Sequence, residues 1–455
     1  MNLKTRRGFT VFAVFASLIL AACSPPADEQ SVASERVERR PFPAKPAANT
    51  DAMIWRFIGP MNSNRGSDVV GHPTDKMRFY WAASGGLWET TDAGLTWMPL
   101  GDEDFGSSSV GAIGMSLSNP DIMYVGMGEP QMRNNVAWGD GVYKTTDGGK
   151  TWRHLGLEAT RHISQIRVHP TNPDIAYVGA FGHAFGPNEE RGVFKTTDGG
   201  ETWNKVLYKS DKAGVIDLIM NPAEPDELYA AVWEFERRAW GPKTAGPDSG
   251  LWKTTDGGET WTEFTYASGL PEGGRGRTGL TMSAADPDRV YALIDSETAP
   301  GLYRSNDRGA NWTFVSNNFQ IIGRPFYYSH IIADHGDADS LWSPNNRLFA
   351  SSDGGKTWVI EPGIKDDFHD VWIDPNDPNR MVSTNDGGVA VTLNGGLTWS
   401  EQYTQKVSQF YQIAVDNDFP YNVYSTSQDI ASYRVPSASR WGGISGYETI
   451  VVGNG

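Results

Sequence analysis

Short alternating runs of apolar and polar residues occur in pairs along this chain, as in Gly141-Val-Tyr-Lys followed by Trp152-Arg-His-Leu. Period-two alternation over four to eight residues predicts half-buried β-strands. Between the two runs of each pair lies one phrase, Ser/Thr-x-Asp-x-Gly-x-Thr-Trp, in full or with a position changed. It occurs at Thr90–Trp97, Thr145–Trp152, Thr196–Trp203, Thr254–Trp261, Ser305–Trp312, Ser351–Trp358 and Thr392–Trp399. Its Asp accepts hydrogen bonds from turn N–H groups, its Gly supplies positive φ and its Trp covers the neighbouring core, so the phrase reads as a hairpin turn. These Asp residues are accordingly structural.

A second phrase precedes each hairpin: an apolar run, a Pro/Asn/Asp turn and a run ending in Tyr, as in Ile166-Arg-Val-His-Pro-Thr-Asn-Pro-Asp-Ile-Ala-Tyr177. Together the two phrases make four strands, A to D, and the Trp-to-Trp spacings are 55, 51, 58, 51, 46 and 41 residues. Four-stranded units of that period predict an all-β fold, a β-propeller with seven such repeats plus a partial or closing eighth. The eighth begins at Gln409-Phe-Tyr-Gln-Ile-Ala-Val415 and has no turn phrase. Trp55-Arg-Phe-Ile58 has the form of a strand D: either it clasps an eight-bladed ring, or seven blades close, the favoured reading, and 404–455 begin a second domain. The propeller is assigned to 51–403, and 404–455 to an eighth blade or the start of a second propeller.

The turn phrase is the Asp-box, or BNR, repeat, and the chain resembles the sialidases, two-propeller xyloglucanases and sortilin-type receptors that carry it. It most resembles large bacterial proteins labelled glycosyl hydrolase or sortilin-like. Trp138-Gly-Asp-Gly-Val-Tyr-Lys, Gly186-Pro-Asn-Glu-Glu-Arg-Gly-Val-Phe-Lys and Asp374-Pro-Asn-Asp-Pro-Asn-Arg carry that likeness. It implies a propeller that acts on carbohydrate or binds peptide. Two departures stand against a xyloglucanase mechanism. The family's Asp before a Gly-Gly pair in the first B-to-C connection is absent from Ala83-Ser84-Gly85-Gly86, and its second catalytic Asp belongs to a second propeller. The sialidase Phe/Tyr-Arg-Ile-Pro motif is also missing.

The first 22 residues read as a lipoprotein signal peptide. Lys4, Arg6 and Arg7 precede the apolar run Phe9–Leu20, and Leu20-Ala-Ala-Cys23 matches a lipobox with Cys23 as the lipidated residue. Thr5-Arg-Arg-Gly-Phe9 also fits a twin-Arg signal. Residues 23–50, rich in Pro, Ala, Ser and charge, read as a tether with a reach of roughly 30 Å. The expected location is the bacterial outer membrane, facing periplasm or exterior, with membrane contact through the lipid anchor alone. Cys23 is the only cysteine, so no disulfide or thiolate chemistry remains for the mature chain. The formal charge of −16, about −19 without the signal, argues against nucleic acid and disfavours polyanionic glycans unless a local basic pocket overrides the field.

Long, chemically mixed insertions fall on the face opposite the Asp boxes: 129–140, 181–191 and 233–248 between strands B and C, and 320–328 and 365–369 between D and A. Loops of this kind on a rigid scaffold carry binding residues. Aligning the A strands places Asp68, Gly114, Gln165, Asp217, Gly279, His330, Asp370 and Gln412 in one row at the expected mouth of the channel. The row is explained either by strand-end groups satisfied by backbone and water, or by a carboxylate site. Glycoside hydrolysis requires one protonated and one ionised carboxyl group roughly 5–10 Å apart, so Asp68, Asp217, Asp370 and His330 are the expected catalytic set. Arg133, Trp138, His162, His183, Trp240, Arg324 and Tyr328 are the expected substrate-binding set. No zinc-protease, phosphate-loop or nucleotide motif occurs and no cofactor is expected, although a metal or calcium held by His and Asp from separate blades would leave no spacing signature. Three functional classes follow: a lipid-anchored enzyme cleaving polysaccharide at the channel mouth, a non-catalytic peptide or protein binder of sortilin type, and an assembly factor like the seven-bladed Asp-box protein of photosystem assembly.

Overall fold

A computed structural model of the protein describes residues 56–364, 367–441 and 443–454. The signal peptide, Cys23 and the tether lie outside the described residues. Among the described residues eight antiparallel sheets of three or four strands follow one another along the chain, beginning with Gly66–Gly71, Phe79–Ala83, Gly86–Thr90 and Met98–Leu100. The innermost strands of the next six are Val110–Met115, Ile163–Val168, Ala213–Met220, Arg275–Ser283, Ile332–Ala333 and Phe368–Asp374. This is the predicted propeller architecture. The seventh sheet has three strands among the described residues, and the fourth carries an added hairpin, Glu236–Arg238 with Gly241–Lys243.

The turn phrase works as its chemistry requires. In the second repeat the Thr145 hydroxyl donates to Asp147 (2.7 Å) and accepts from Gly149 N–H (3.0 Å), while Asp147 accepts from Thr151 N–H and hydroxyl (3.0 and 2.7 Å). These bonds, led by the Thr151 hydroxyl, hold the Asp147 carboxyl down at about 2. Gly148 and Gly149 sit at φ +73° and +89°, where a side chain is strained. Two repeats vary without losing the pattern. Asn311 donates to Asp307 where other copies have Thr (2.7 Å), and Asn394 takes the place of Asp by accepting from Thr392 and Thr398 N–H (both 2.9 Å).

The first and seventh sheets bury each other. Val69, Phe79, Trp81 and Trp97 form one apolar cluster with Val382, Val389 and Val391. Trp81 Nε1 donates to Thr384 Oγ1 (2.8 Å), and Phe79 meets Trp372 edge-on at 6.2 Å. The eighth sheet, Phe410–Val415, Asn422–Ser427, Ala431–Pro436 and Ile450–Asn454, stands outside this contact, with its first and last strands exposed throughout. It is held by an antiparallel bridge between Asn62 and Gln405 (2.8 and 3.0 Å), by Asn62 donating to Ser408 (3.0 Å) and by an ion pair of Arg65 with Asp429 (2.6 Å). Trp55 lies outside the described residues, and Arg56–Met61 forms no strand.

Thr384→Val leaves the buried Trp81 indole N–H without its acceptor and is expected to lower the unfolding free energy by about 1–3 kcal/mol. Urea denaturation measures this. An unchanged midpoint would mean that the first and seventh sheets do not depend on this contact.

Candidate functional site

The A-strand row does converge. Asp68, Gln165, Asp217, His330 and Asp370 line one central cavity together with Ser67, Gln131, Arg277 and His369. Gln412 is exposed on the eighth sheet and takes no part in it. The glycines of the row mark close approach: a Cβ on Gly279 would meet Ser329 O at 2.2 Å, and one on Gly114 would meet the Ile166 side chain at 2.4 Å. The cavity measures about 20 Å³, room for a water and too small for a sugar ring.

Each ring carboxylate binds backbone of two sheets. Asp68 accepts from Val69 N–H (2.8 Å) and from Ile113 N–H of the second sheet (2.7 Å). Asp217 accepts from Leu218 N–H and from Leu280 N–H of the fifth sheet (both 2.8 Å). Asp370 accepts from Val69 N–H of the first sheet (3.2 Å). A side-chain hydrogen bond between Asp68 and Asp370 favours the neutral form of the first and the charged form of the second. Burial, followed by the Asp370 charge, pushes the Asp68 carboxyl well above its ordinary range; burial raises Asp370 as well. His330 Nδ1 lies 3.5 Å from Asp370 and 3.0 Å from His369 O. Arg277, whose guanidinium donates to the carbonyls of Phe326 and Tyr327 (3.5 and 3.1 Å) and lies over the Trp233 ring (5.9 Å), is pushed down to about 10 by burial.

Above the cavity, on the loop-rich face, lies a network that sequence reasoning did not assemble. Arg65, 2% exposed, binds Asp386 (2.5 Å), Asp429 (2.6 Å) and the Tyr327 hydroxyl (3.0 Å), with Glu129 at 3.9 Å. His369 sets Nδ1 against Gly66 O (2.6 Å) and Nε2 against Asp386 and Tyr327 (both 3.1 Å). Burial alone would raise the Asp386 carboxyl, yet His369 and Arg65 hold it far below the usual range. Burial and then Asp386 push the Tyr327 phenol well up. A signal for Asp386 existed: Asp386-Gly387-Gly388 puts an Asp before a Gly-Gly pair in the B-to-C connection of the seventh sheet. Arg65 and Asp429, 364 positions apart, had none.

The expected substrate-binding residues divide by accessibility. Trp138 and Trp240 are 60% and 85% exposed, with Arg161 over the Trp138 ring at 5.0 Å. His183 is half-buried and accepts from Phe185 N–H through Nδ1 (3.0 Å). Arg133 is tied to Glu129 (3.0 and 3.1 Å). Arg324, at φ +48°, sits over the Tyr327 and Tyr328 rings (5.0 and 5.4 Å) and 4.0 Å from Asp367. His162 and Tyr328 are each 2% exposed and do not reach solvent. Burial drives the His162 imidazole down to about 3, which keeps it neutral, and the Tyr328 hydroxyl is committed to Asp367. No group of three or more His, Cys, Asp or Glu with metal-holding geometry occurs among the described residues.

Similarity to known proteins divides along the same two lines as the sequence. The family model described as sortilin, neurotensin receptor 3, matches residues 140–265 and 191–329. A xyloglucanase of Paenibacillus sp is 24% identical over 319 residues, 60% of this chain and 29% of that protein. Vacuolar protein sorting/targeting protein 10 of Fusarium vanettenii is 25% identical over 198 residues, 39% of this chain and 12% of that protein. The crystal structure of the GH74 enzyme of Niastella koreensis superposes with a TM-score of 0.59 at 17% identity, covering 85% of this chain and 60% of the other. The chain resembles both the xyloglucanase-like and the sortilin-like propeller proteins. It spans only 29 to 41% of the length of the xyloglucanases it matches.

The raised Asp68 carboxyl fixes a pH dependence. A folded-state value above the unfolded one gives stability that is full below the unfolded value near 3.8 and is lost as pH rises through the folded one. Asp68→Asn keeps an acceptor for Ile113 N–H and a donor for Asp370. It is expected to gain stability relative to wild type as pH rises from about 4 towards 8. Parallel denaturation curves across that range would show that the pair holds no proton.

Proposed function

We propose that the loop-rich face binds an oligosaccharide and that the carboxyl groups beneath it hydrolyse a glycosidic bond, as in a glycosyl hydrolase-like propeller. The observation that carries this is the set of exposed rings Trp138, Phe185 and Trp240, on three loops that are fixed to one another. Arg237 N–H donates to Ala184 O (2.7 Å) and its guanidinium to Asn134 (2.6 Å). Met132, Phe181, Ala184, Trp233 and Phe235 form a common core beneath the loops. Large aromatic rings held exposed in this way lose little entropy on meeting a ligand, and their flat faces match sugar rings.

In this reading Asp68, Asp217, Asp370 and His330 are the catalytic set. The Asp68–Asp370 pair supplies the proton, and Asp217, from the fourth of the seven inner strands, is the facing carboxylate. Because the cavity accommodates water and not a sugar, the ring rests at the mouth and the throat delivers the water. Xyloglucanases among the similar proteins support the reaction class. The chain is proposed to act at the outer membrane, anchored through a lipid on Cys23 and free of nucleic-acid partners. Sortilin-like peptide capture is the second reading, favoured by a family-model match that spans two of the three aromatic loops. The throat, polar and only about 20 Å³ in volume, gives that reading no apolar tunnel.

Release of reducing ends from a panel of plant, algal and bacterial glycans tests the proposal. Asp370→Asn and Asp217→Asn are expected to lower kcat at least a hundredfold with binding retained. Trp240→Ala is expected to weaken binding by about 1 kcal/mol. Full activity in both Asn variants would remove the throat from the chemistry. A folded protein that neither cleaves nor binds any glycan would leave peptide capture.

A further inference from the structure

The chain carries a formal charge of −16, a field that repels polyanions. One part of the aromatic platform has the opposite character. Arg161 lies with its guanidinium 5.0 Å from the Trp138 ring centroid and forms no hydrogen bond or ion pair through its side chain among the described residues. Its backbone is held at φ +62°, a conformation that L side chains rarely adopt, and its carbonyl accepts from Gly139 N–H (2.7 Å). That bond locks the arginine beside the loop that presents Trp138. Strain retained at a half-buried residue is a mark of functional sites.

Two more basic groups belong to the same region, His183 being within electrostatic reach of Arg161 and Arg191. His183 packs its ring edge-on against Phe185 (5.9 Å) and uses Nδ1 locally, and its Nε2 has no hydrogen-bond partner among the described residues. Arg191 is wholly buried and bonds only to main-chain carbonyls, of Lys212 (3.0 Å), His183 (2.8 Å), Gly186 (3.2 Å) and Phe235 (3.4 Å), with no carboxylate within ion-pair distance. Asp211, Glu234 and Glu236 are the acids that act on its charge, none of them in an ion pair with it. Burial first, then Arg161 and Arg191, push the His183 imidazole below its ordinary value, and Glu190 is the acid that opposes them. A guanidinium stacked on an indole is a setting in which an anion gains charge-assisted hydrogen bonds from one side and stacking from the other.

We propose that the platform selects glycans bearing an anionic group, a carboxylate or a sulfate ester, with that group on Arg161 and the sugar rings on Trp138 and Phe185. This rests on the glycan-binding reading above and narrows its substrate class. A guanidinium fork recognises both kinds of anion, so the ligand is defined by charge and ring together.

Affinity electrophoresis of the full chain in gels containing polygalacturonate, dextran sulfate or neutral xyloglucan tests it. Retardation by polygalacturonate, by dextran sulfate or by both is expected to exceed that by xyloglucan, and the stronger of the two anions identifies the source. Arg161→Gln is expected to weaken that retention about tenfold, the size of one charge-assisted contact. Arg161→Lys retains part of it, and Trp138→Ala weakens it as well. Retention of xyloglucan equal to that of the anionic glycans, unchanged in Arg161→Gln, overturns the anion selectivity and leaves glycan binding in place. Retention of dextran sulfate that ignores both Arg161→Gln and Trp138→Ala is ion exchange elsewhere and also overturns it. A protein folded by circular dichroism and retained by none of the three overturns both readings.

Discussion

Where the inner strands bulge, backbone N–H groups lose their ladder partners beside a throat of about 20 Å³, and the rest of the structure depends on how those groups are satisfied. The register shifts at Gly66/Asp68, Val215/Asp217 and Phe368/Asp370 each place an aspartate at the bulge. Each carboxylate takes an N–H from the neighbouring sheet: Ile113, Leu280 and Val69 respectively. Other junctions use hydroxyls. Ser164 donates to Val215 O (2.7 Å), and Thr281 accepts from Ala333 N–H (2.9 Å). Sheets that share little chain are thereby tied at their innermost residues.

That arrangement explains why the loop-rich face can be elaborate. With the sheets fixed from within and the outer turns closed by the Asp boxes, insertions of a dozen residues between strands B and C do not threaten the scaffold. They pack on one another through Phe181, Trp233 and Phe235 and hold polar and aromatic groups outward. The mouth network of Arg65, Asp386, His369 and Tyr327 sits between these loops and the throat, and through Asp429 it reaches the eighth sheet. Positive φ at Arg161, Arg324, Ser329 and Asp367 collects on the same face.

The sequence disclosed what is periodic. The turn phrase repeats because one Ser/Thr hydroxyl, one Asp and one Gly are needed in every hairpin, and even Asn311 and Asn394 preserve the bonds. The row of Asp68, Asp217, His330 and Asp370 was legible because every inner strand meets the throat at the same register. Contacts made across the first and seventh sheets were not, since Arg65 with Asp386 joins residues 321 positions apart. Accessibility was equally hidden: His162 and Tyr328 lie in loop segments beside exposed rings, yet the loops fold over them. Gln412 shares the strand pattern but belongs to a sheet whose faces stay open to solvent.

The claim at the centre of this account is that ligand meets the protein on the loop-rich face. Hydrogen exchange of the full chain with and without the oligosaccharide it retains locates that contact directly. Protection is predicted in 129–140, 181–191 and 233–248, with the Asp-box turns unchanged. Protection confined to the Asp-box turns, or to the exposed strands of the eighth sheet, would contradict it.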